Sequence, residues 1–205
     1  MITIIDYGVG HLFSLSSSLS YLGLENKVSR DPEDVRKADH IILPGVGAYC
    51  DAIAKLRGSG MAEPLLDEAK AGKPIMGICL GMQLLFDKSY EYGEHQGLGL
   101  IPGVMADLKE DIPANLKVPH MGWNSLQLTE NGKKHPLFKY SKEGDYVYFV
   151  HSFYGKDCDE SLLATSEYGI PVTASAANEN VMGCQFHPEK SGEVGLRILK
   201  AFSEL

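Results

Sequence analysis

The chain has 205 residues, 44% of them apolar and 22% charged, with a formal net charge of −8. These values suit a single domain over 1–205 with a proper core. They exclude a general nucleic-acid binder, because short pairs such as Lys133-Lys134 make no basic face.

No apolar run approaches the ~20 residues of a membrane span. Met1 to Ile5 reads as a strand and not as a leader. Cys50, Cys79, Cys158 and Cys184 show no C-x-x-C spacing, so reduced thiols in a cytoplasm are expected.

The first half alternates apolar runs with helical periodicity. Ile2 to Ile5 is a strand ended by Asp6-Tyr7-Gly8. Leu12, Leu15, Leu19 and Leu22 make 11–22 an amphipathic helix stopped by Gly23. Lys27 to Ser29 is a short strand. Asp31-Pro32-Glu33 opens a helix, with Asp31 as cap and Pro32 in first position. Ile41 to Leu43 is a buried strand running into Pro44-Gly45-Val46-Gly47. Helices are predicted at 48–57 and 62–71, a strand at 74–78 and a helix at 80–87.

This repetition predicts an α/β fold, a mostly parallel central sheet flanked by helices. Ligands in such sheets sit at the carboxyl ends of strands. From about 100 to 175, turn signals at Asn131-Gly132 and Glu143-Gly144-Asp145 separate β-rich runs such as Tyr146 to Val150. They predict antiparallel strands added in the C-terminal half. A last strand, Val181 to Phe186, precedes His187-Pro188-Glu189, and a helix closes the chain at 192–203.

Cys79 lies between Gly77 and Gly81 where a buried strand turns into a helix. A free cysteine is usually a small buried hydrophobe. Here the sharp turn matches a nucleophile elbow, and the flanking glycines remove side chains that would clash. The helix behind points its N-terminus at the sulfur, and the Leu80 amide lies ready to donate to an oxyanion.

A nucleophile needs a base, and the base an orienter. Of seven histidines, His187 is followed two residues later by Glu189. Pro188 favours an extended local chain, in which i and i+2 share a side, so Glu189 can reach the imidazole. A metal site on the same three side chains would leave the glycines without purpose. The Gly8-Val9-Gly10 turn has Phe13 where a dinucleotide loop needs glycine, so it is structural or interface-forming.

The stretches Gly77 to Gln83 and Gln185 to Glu189 resemble the class I (triad-type) glutamine amidotransferases. Five more stretches are similar to one branch, the glutaminase subunits of imidazole glycerol phosphate synthases. They are Asp6 to Gly10, Pro44 to Gly47, Pro119 to Asn124, Tyr148 to Phe153 and His187 to Ser191. One departure is His11, where that branch usually carries Asn.

The resemblance implies hydrolysis of glutamine through a glutamyl thioester on Cys79, with His187 shuttling protons and Glu189 holding its tautomer. It implies an oxyanion hole from Leu80 and the Val46–Gly47 loop segment, which reorients when a partner is ready. Glutamine is expected at Gly47, Gln83, Glu91, His151, Ser152 and Phe153. Glu91 could instead be merely solvated, and Trp123 and Tyr148 could be core aromatics. The resemblance places Trp123, Tyr148 and Lys190 at an interface with a separate (β/α)8 cyclase, as a heterodimer. No cofactor and no metal are expected. Rival readings are a related amidotransferase subunit serving another synthase and a catalytically dead binding module. The Pro119–Asn124 and Tyr148–Phe153 stretches oppose the first, and the intact triad opposes the second.

Overall fold

The computed structural model describes residues 1–205. Its strands in chain order are β1 (Ile2–Ile5), β2 (Asn26–Ser29), β3 (His40–Leu43), β4 (Ile75–Ile78), β5 (Phe86–Ser89), β6 (His95–Gln96) and β7 (Ile101–Asp107). They continue as β8 (His120–Ser125), β9 (Gln127–Leu128), β10 (Tyr146–His151), β11 (Phe153–Lys156), β12 (Leu162–Glu167), β13 (Pro171–Asn178) and β14 (Val181–Cys184). The helices are α1 (Leu12–Tyr21), α2 (Pro32–Lys37), α3 (Tyr49–Gly58), α4 (Ala62–Lys70), α5 (Leu80–Leu85), α6 (Leu108–Asp111), α7 (Glu130–Lys134) and α8 (Gly192–Ser203).

The main sheet runs β2-β1-β3-β4-β14-β13-β12-β9. Its first five strands are parallel, and β13, β12 and β9 extend it antiparallel. Alternation along the strands sends side chains to two cores. Ile5, Ile41, Leu43 and Ile75 meet residues of α2 to α5 on one face. Ile4, Ile42, Met76 and Ile78 meet α1 and α8 on the other. A four-stranded sheet, β11-β7-β5-β6, and a two-stranded antiparallel ribbon of β8 and β10 complete the fold.

Four strand ends meet at one edge: Asp6 after β1, Pro44 after β3, Cys79 after β4 and Gln185 after β14. The predicted α/β sheet with its antiparallel additions is what forms. Three local expectations differ.

The helix expected at 80–87 stops at Leu85. The carbonyls of Leu84, Leu85 and Phe86 accept from the amides of Leu98, Leu100 and Gly99, so no helical ladder can use them. The second sheet therefore starts at Phe86, earlier than the turn signals suggested. Asn131-Gly132 is not a turn between strands but lies within α7. Thr129 Oγ1 caps that helix by accepting from the Gly132 amide at 3.0 Å.

The last strand ends at Cys184, and the segment after His187 is not extended. Pro188–Lys190 forms one 3-10 turn, because proline is preorganised for the first helical position.

Candidate active site

Cys79 follows β4 with φ 54° and ψ −115°, left-handed backbone that costs a non-glycine residue roughly 1–3 kcal/mol. The neighbouring glycines make the turn possible. A Cβ on Gly81 would stand 1.9 Å from the Leu43 carbonyl oxygen, so only glycine lets α5 start against β3. The Leu80 amide is the first of α5 and has no partner in the helix ladder.

His187 leaves β14 with its ring buried. Its Nδ1 lies 2.8 Å from Glu189 Oε1, and both side chains are almost fully enclosed. Glutamate can only accept, so Nδ1 donates and Nε2 faces the site. Burial pushes the imidazole down. Hydrogen bonding and charge from Cys79 and Glu189 outweigh it and raise His187 to about 9. Nε2 nevertheless has no partner in hydrogen-bond geometry. The sulfur stands near enough to favour imidazolium, but its aligned contacts run elsewhere. The thiol donates to the Val150 carbonyl at 3.9 Å and accepts from Gln185 Nε2 at 3.9 Å.

The sulfur opens into a cavity of about 330 Å³. Ten residues singled out in the sequence line it: Val46, Gly47, Cys79, Leu80, Gln83, Glu91, His151, Ser152, Phe153 and His187. Glu189 stands behind His187. Gly47 has φ 95°, and nothing lies within 4 Å of where its Cβ would be, so the loop has room to turn there.

Gln83 Nε2 donates to the Phe153 carbonyl at 3.3 Å and to Gln185 Oε1 at 3.1 Å. Both protons are spent, so the group left for a ligand is its acceptor Oε1. Glu91 is not merely solvated. It is half-buried and accepts from the Tyr49 amide at 2.9 Å, capping α3, and burial raises its pKa.

Trp123, Tyr148 and Lys190 lie outside this cavity. Trp123 and Tyr148 are cross-strand partners on the outer face of the ribbon, with ring centroids 6.2 Å apart. Trp123 is 56% exposed, so it is no core anchor. Lys190 Nζ donates to His11 Nε2 at 3.2 Å. His11 also lines the cavity, with its ring edge-on to His187 at 5.7 Å. Burial, then the charges of Lys190 and His187, lower its pKa.

Three residues given no role from the sequence now have one. Gln185 is fully buried and donates to the sulfur. Its signal was strand alternation, which puts it on the same side as His187. Ser191 and His120, discussed below, carried no separate signal.

The profile of class-I glutamine amidotransferases matches residues 3–204. The imidazole glycerol phosphate synthase subunit HisH of Listeria monocytogenes serotype 4a is 48% identical over 205 residues, covering 100% of this chain and 96% of its own. HisH of Caldanaerobacter subterraneus subsp. tengcongensis is 48% identical over 206 residues, covering 100% and 98%. Among solved structures, PurLQS from Thermotoga maritima shares 21% identity at a TM-score of 0.76, over 99% of this chain and 97% of the other. That likeness concerns the fold. The chain belongs to the class-I glutamine amidotransferases, among the HisH subunits of imidazole glycerol phosphate synthase.

Proposed function

We propose that this chain hydrolyses glutamine to glutamate and ammonia for imidazole glycerol phosphate synthesis in histidine biosynthesis. The observation that carries the reading is Cys79 on a strained elbow beside a buried His187 already bound to Glu189.

The thiol proton passes to His187 Nε2, whose hold on a proton is raised, against burial, to about 9 by the thiolate and Glu189 charges beside it, and the sulfur attacks the carboxamide carbon. The oxyanion accepts from the Leu80 amide and from a peptide N–H of the Val46–Gly47 segment. Imidazolium returns its proton to the leaving ammonia, which leaves a glutamyl thioester on Cys79. Water, activated by the same ring, then releases glutamate. Glu189 keeps Nδ1 protonated and the ring oriented throughout. Glutamine is held along Gly47, Gln83, Glu91 and His151 to Phe153.

The partner in this reading is a separate (β/α)8 cyclase that receives the ammonia in a cytoplasmic heterodimer. Trp123, Tyr148 and Lys190 meet it. The resting thiol donates to Val150 and leaves Nε2 open, which suits an enzyme restrained until its partner engages. The test is glutamate release by the assembled complex with the cyclase ligand present. Turnover in the wild type and none in Cys79→Ala is expected. Undiminished turnover in Cys79→Ala would end the proposal.

A further inference from the structure

The inner face of the ribbon carries two histidines placed directly opposite each other, His120 on β8 and His151 on β10. Both are buried. His120 is stacked between Phe149 and Tyr168, at centroid distances of 4.7 and 4.2 Å. Neither ring belongs to the triad, yet they are joined ring to ring, His120 Nδ1 to His151 Nε2 at 2.9 Å.

The direction of this chain of bonds is fixed by its ends. His151 Nδ1 lies 2.8 Å from the Phe153 carbonyl, which can only accept, so Nδ1 carries the proton. In a neutral ring Nε2 is then bare, and His120 must donate to it through Nδ1. That leaves His120 Nε2 as an acceptor, 3.2 Å from Asn124 Nδ2. The Asn124 amide is itself oriented by the backbone. Its Nδ2 donates to the Glu167 carbonyl at 2.8 Å, and its Oδ1 accepts from the Ser125 amide at 2.8 Å. Burial pushes His120 down to about 4 and His151 down to about 3, so both rings are neutral near pH 7.

The chain ends at a consequential atom. The Phe153 carbonyl also accepts from Gln83, whose amide is shared with Gln185, the donor to the Cys79 sulfur. Two donors therefore meet on one carbonyl of the cavity wall. One ends the chain from β8, the strand whose outer face bears Trp123, and the other is Gln83, whose second proton leads through Gln185 to the sulfur. Filling both lone pairs of that carbonyl sets the rotation of the 153–154 peptide and leaves Gln83 presenting Oε1.

We propose that His120 and His151 are positioning residues of the glutamine pocket: a one-way chain from Asn124 through both imidazoles to the Phe153 carbonyl holds the cavity wall and the Gln83 amide in their binding orientation. The proposal rests on the cavity being the glutamine site.

Two substitutions separate this role from simple packing. His120→Phe keeps the aromatic stack but cannot donate to His151. His120→Asn loses the stack but keeps a donor at the place of Nδ1. In the assembled complex, with the cyclase ligand present, His120→Phe is expected to raise KM for glutamine about tenfold and to change kcat less, the pattern of lost binding. His120→Asn is expected to stay within about threefold of wild type. A His120→Asn KM equal to or above that of His120→Phe would overturn the proposal.

The 15N spectrum of the histidine-labelled wild-type complex needs no variant to fold. It should show both rings neutral and protonated on Nδ1 at pH 7, and an Nε2–H tautomer or an imidazolium at either ring would equally overturn it. A wild-type complex that releases no glutamate would instead defeat the glutaminase reading, so the two failures are distinct.

Discussion

The main-chain amide of His187 donates to the carbonyl of Tyr148 at 3.0 Å. The tie is doubled, since the Tyr148 amide donates to Ser191 Oγ at 3.0 Å and that hydroxyl donates to the His187 carbonyl at 2.6 Å. The proposed base is thus clamped to the strand whose Tyr148 side chain packs on Trp123.

Ser191→Ala should therefore cost more than packing. It leaves the part-buried Tyr148 amide without its partner and the His187 carbonyl with only the Lys190 amide, which destabilises by about 1–3 kcal/mol. Urea denaturation reads that loss. In the complex, kcat should fall about tenfold with KM for glutamine changed less, because a base out of line costs the chemical step. An unchanged kcat would show that the clamp does not set the imidazole.

Gly81→Ala and Gly47→Ala should differ in kind. The first forces a Cβ into the Leu43 carbonyl and has no backbone escape. It should cost roughly 3 kcal/mol or more, or prevent folding. The second finds open space but a φ of 95°, and should cost only about 1–2 kcal/mol. Its larger effect should be on kcat, down about tenfold or more, because the proposed oxyanion donor must turn there. Thermal unfolding beside complex turnover separates the two.

His187 predicts a pH dependence of stability. Its ring holds a proton more tightly in the fold than in the unfolded chain, rising from 6.5 to about 9. That contribution is complete below about pH 6.5 and is lost as pH rises through about 9. It amounts to roughly 3 kcal/mol at most. His187→Gln should therefore lose most of its deficit against wild type between about pH 6 and pH 10, measured by chemical denaturation. A deficit that grows over that interval would contradict the pairing of His187 with Cys79 and Glu189.

Much of this was readable from residue order. Gly77-Ile78-Cys79-Leu80-Gly81 betrays a strand turning hard into a helix, since few other local structures need glycines at that spacing. The parallel sheet followed from apolar runs alternating with helical periodicity. What could not be read depends on partners distant in sequence. The end of α5 is set by amides at 98–100 that take its carbonyls. Asn131-Gly132 looks like a turn until Thr129 caps it and the Leu163 carbonyl fills the space a side chain would need. The His120–His151 pair escaped because neither ring has a local signature, and only the register of β8 with β10 sets them opposite each other.

Cys79 as the nucleophile toward glutamine is tested most directly by covalent capture. A glutamine analogue with a diazoketone in place of the carboxamide is added to the assembled complex, and the chain is mapped by peptide mass spectrometry. A single adduct on Cys79, suppressed by excess glutamine, is predicted. Modification of Cys50, Cys158 or Cys184 with Cys79 left free would contradict it.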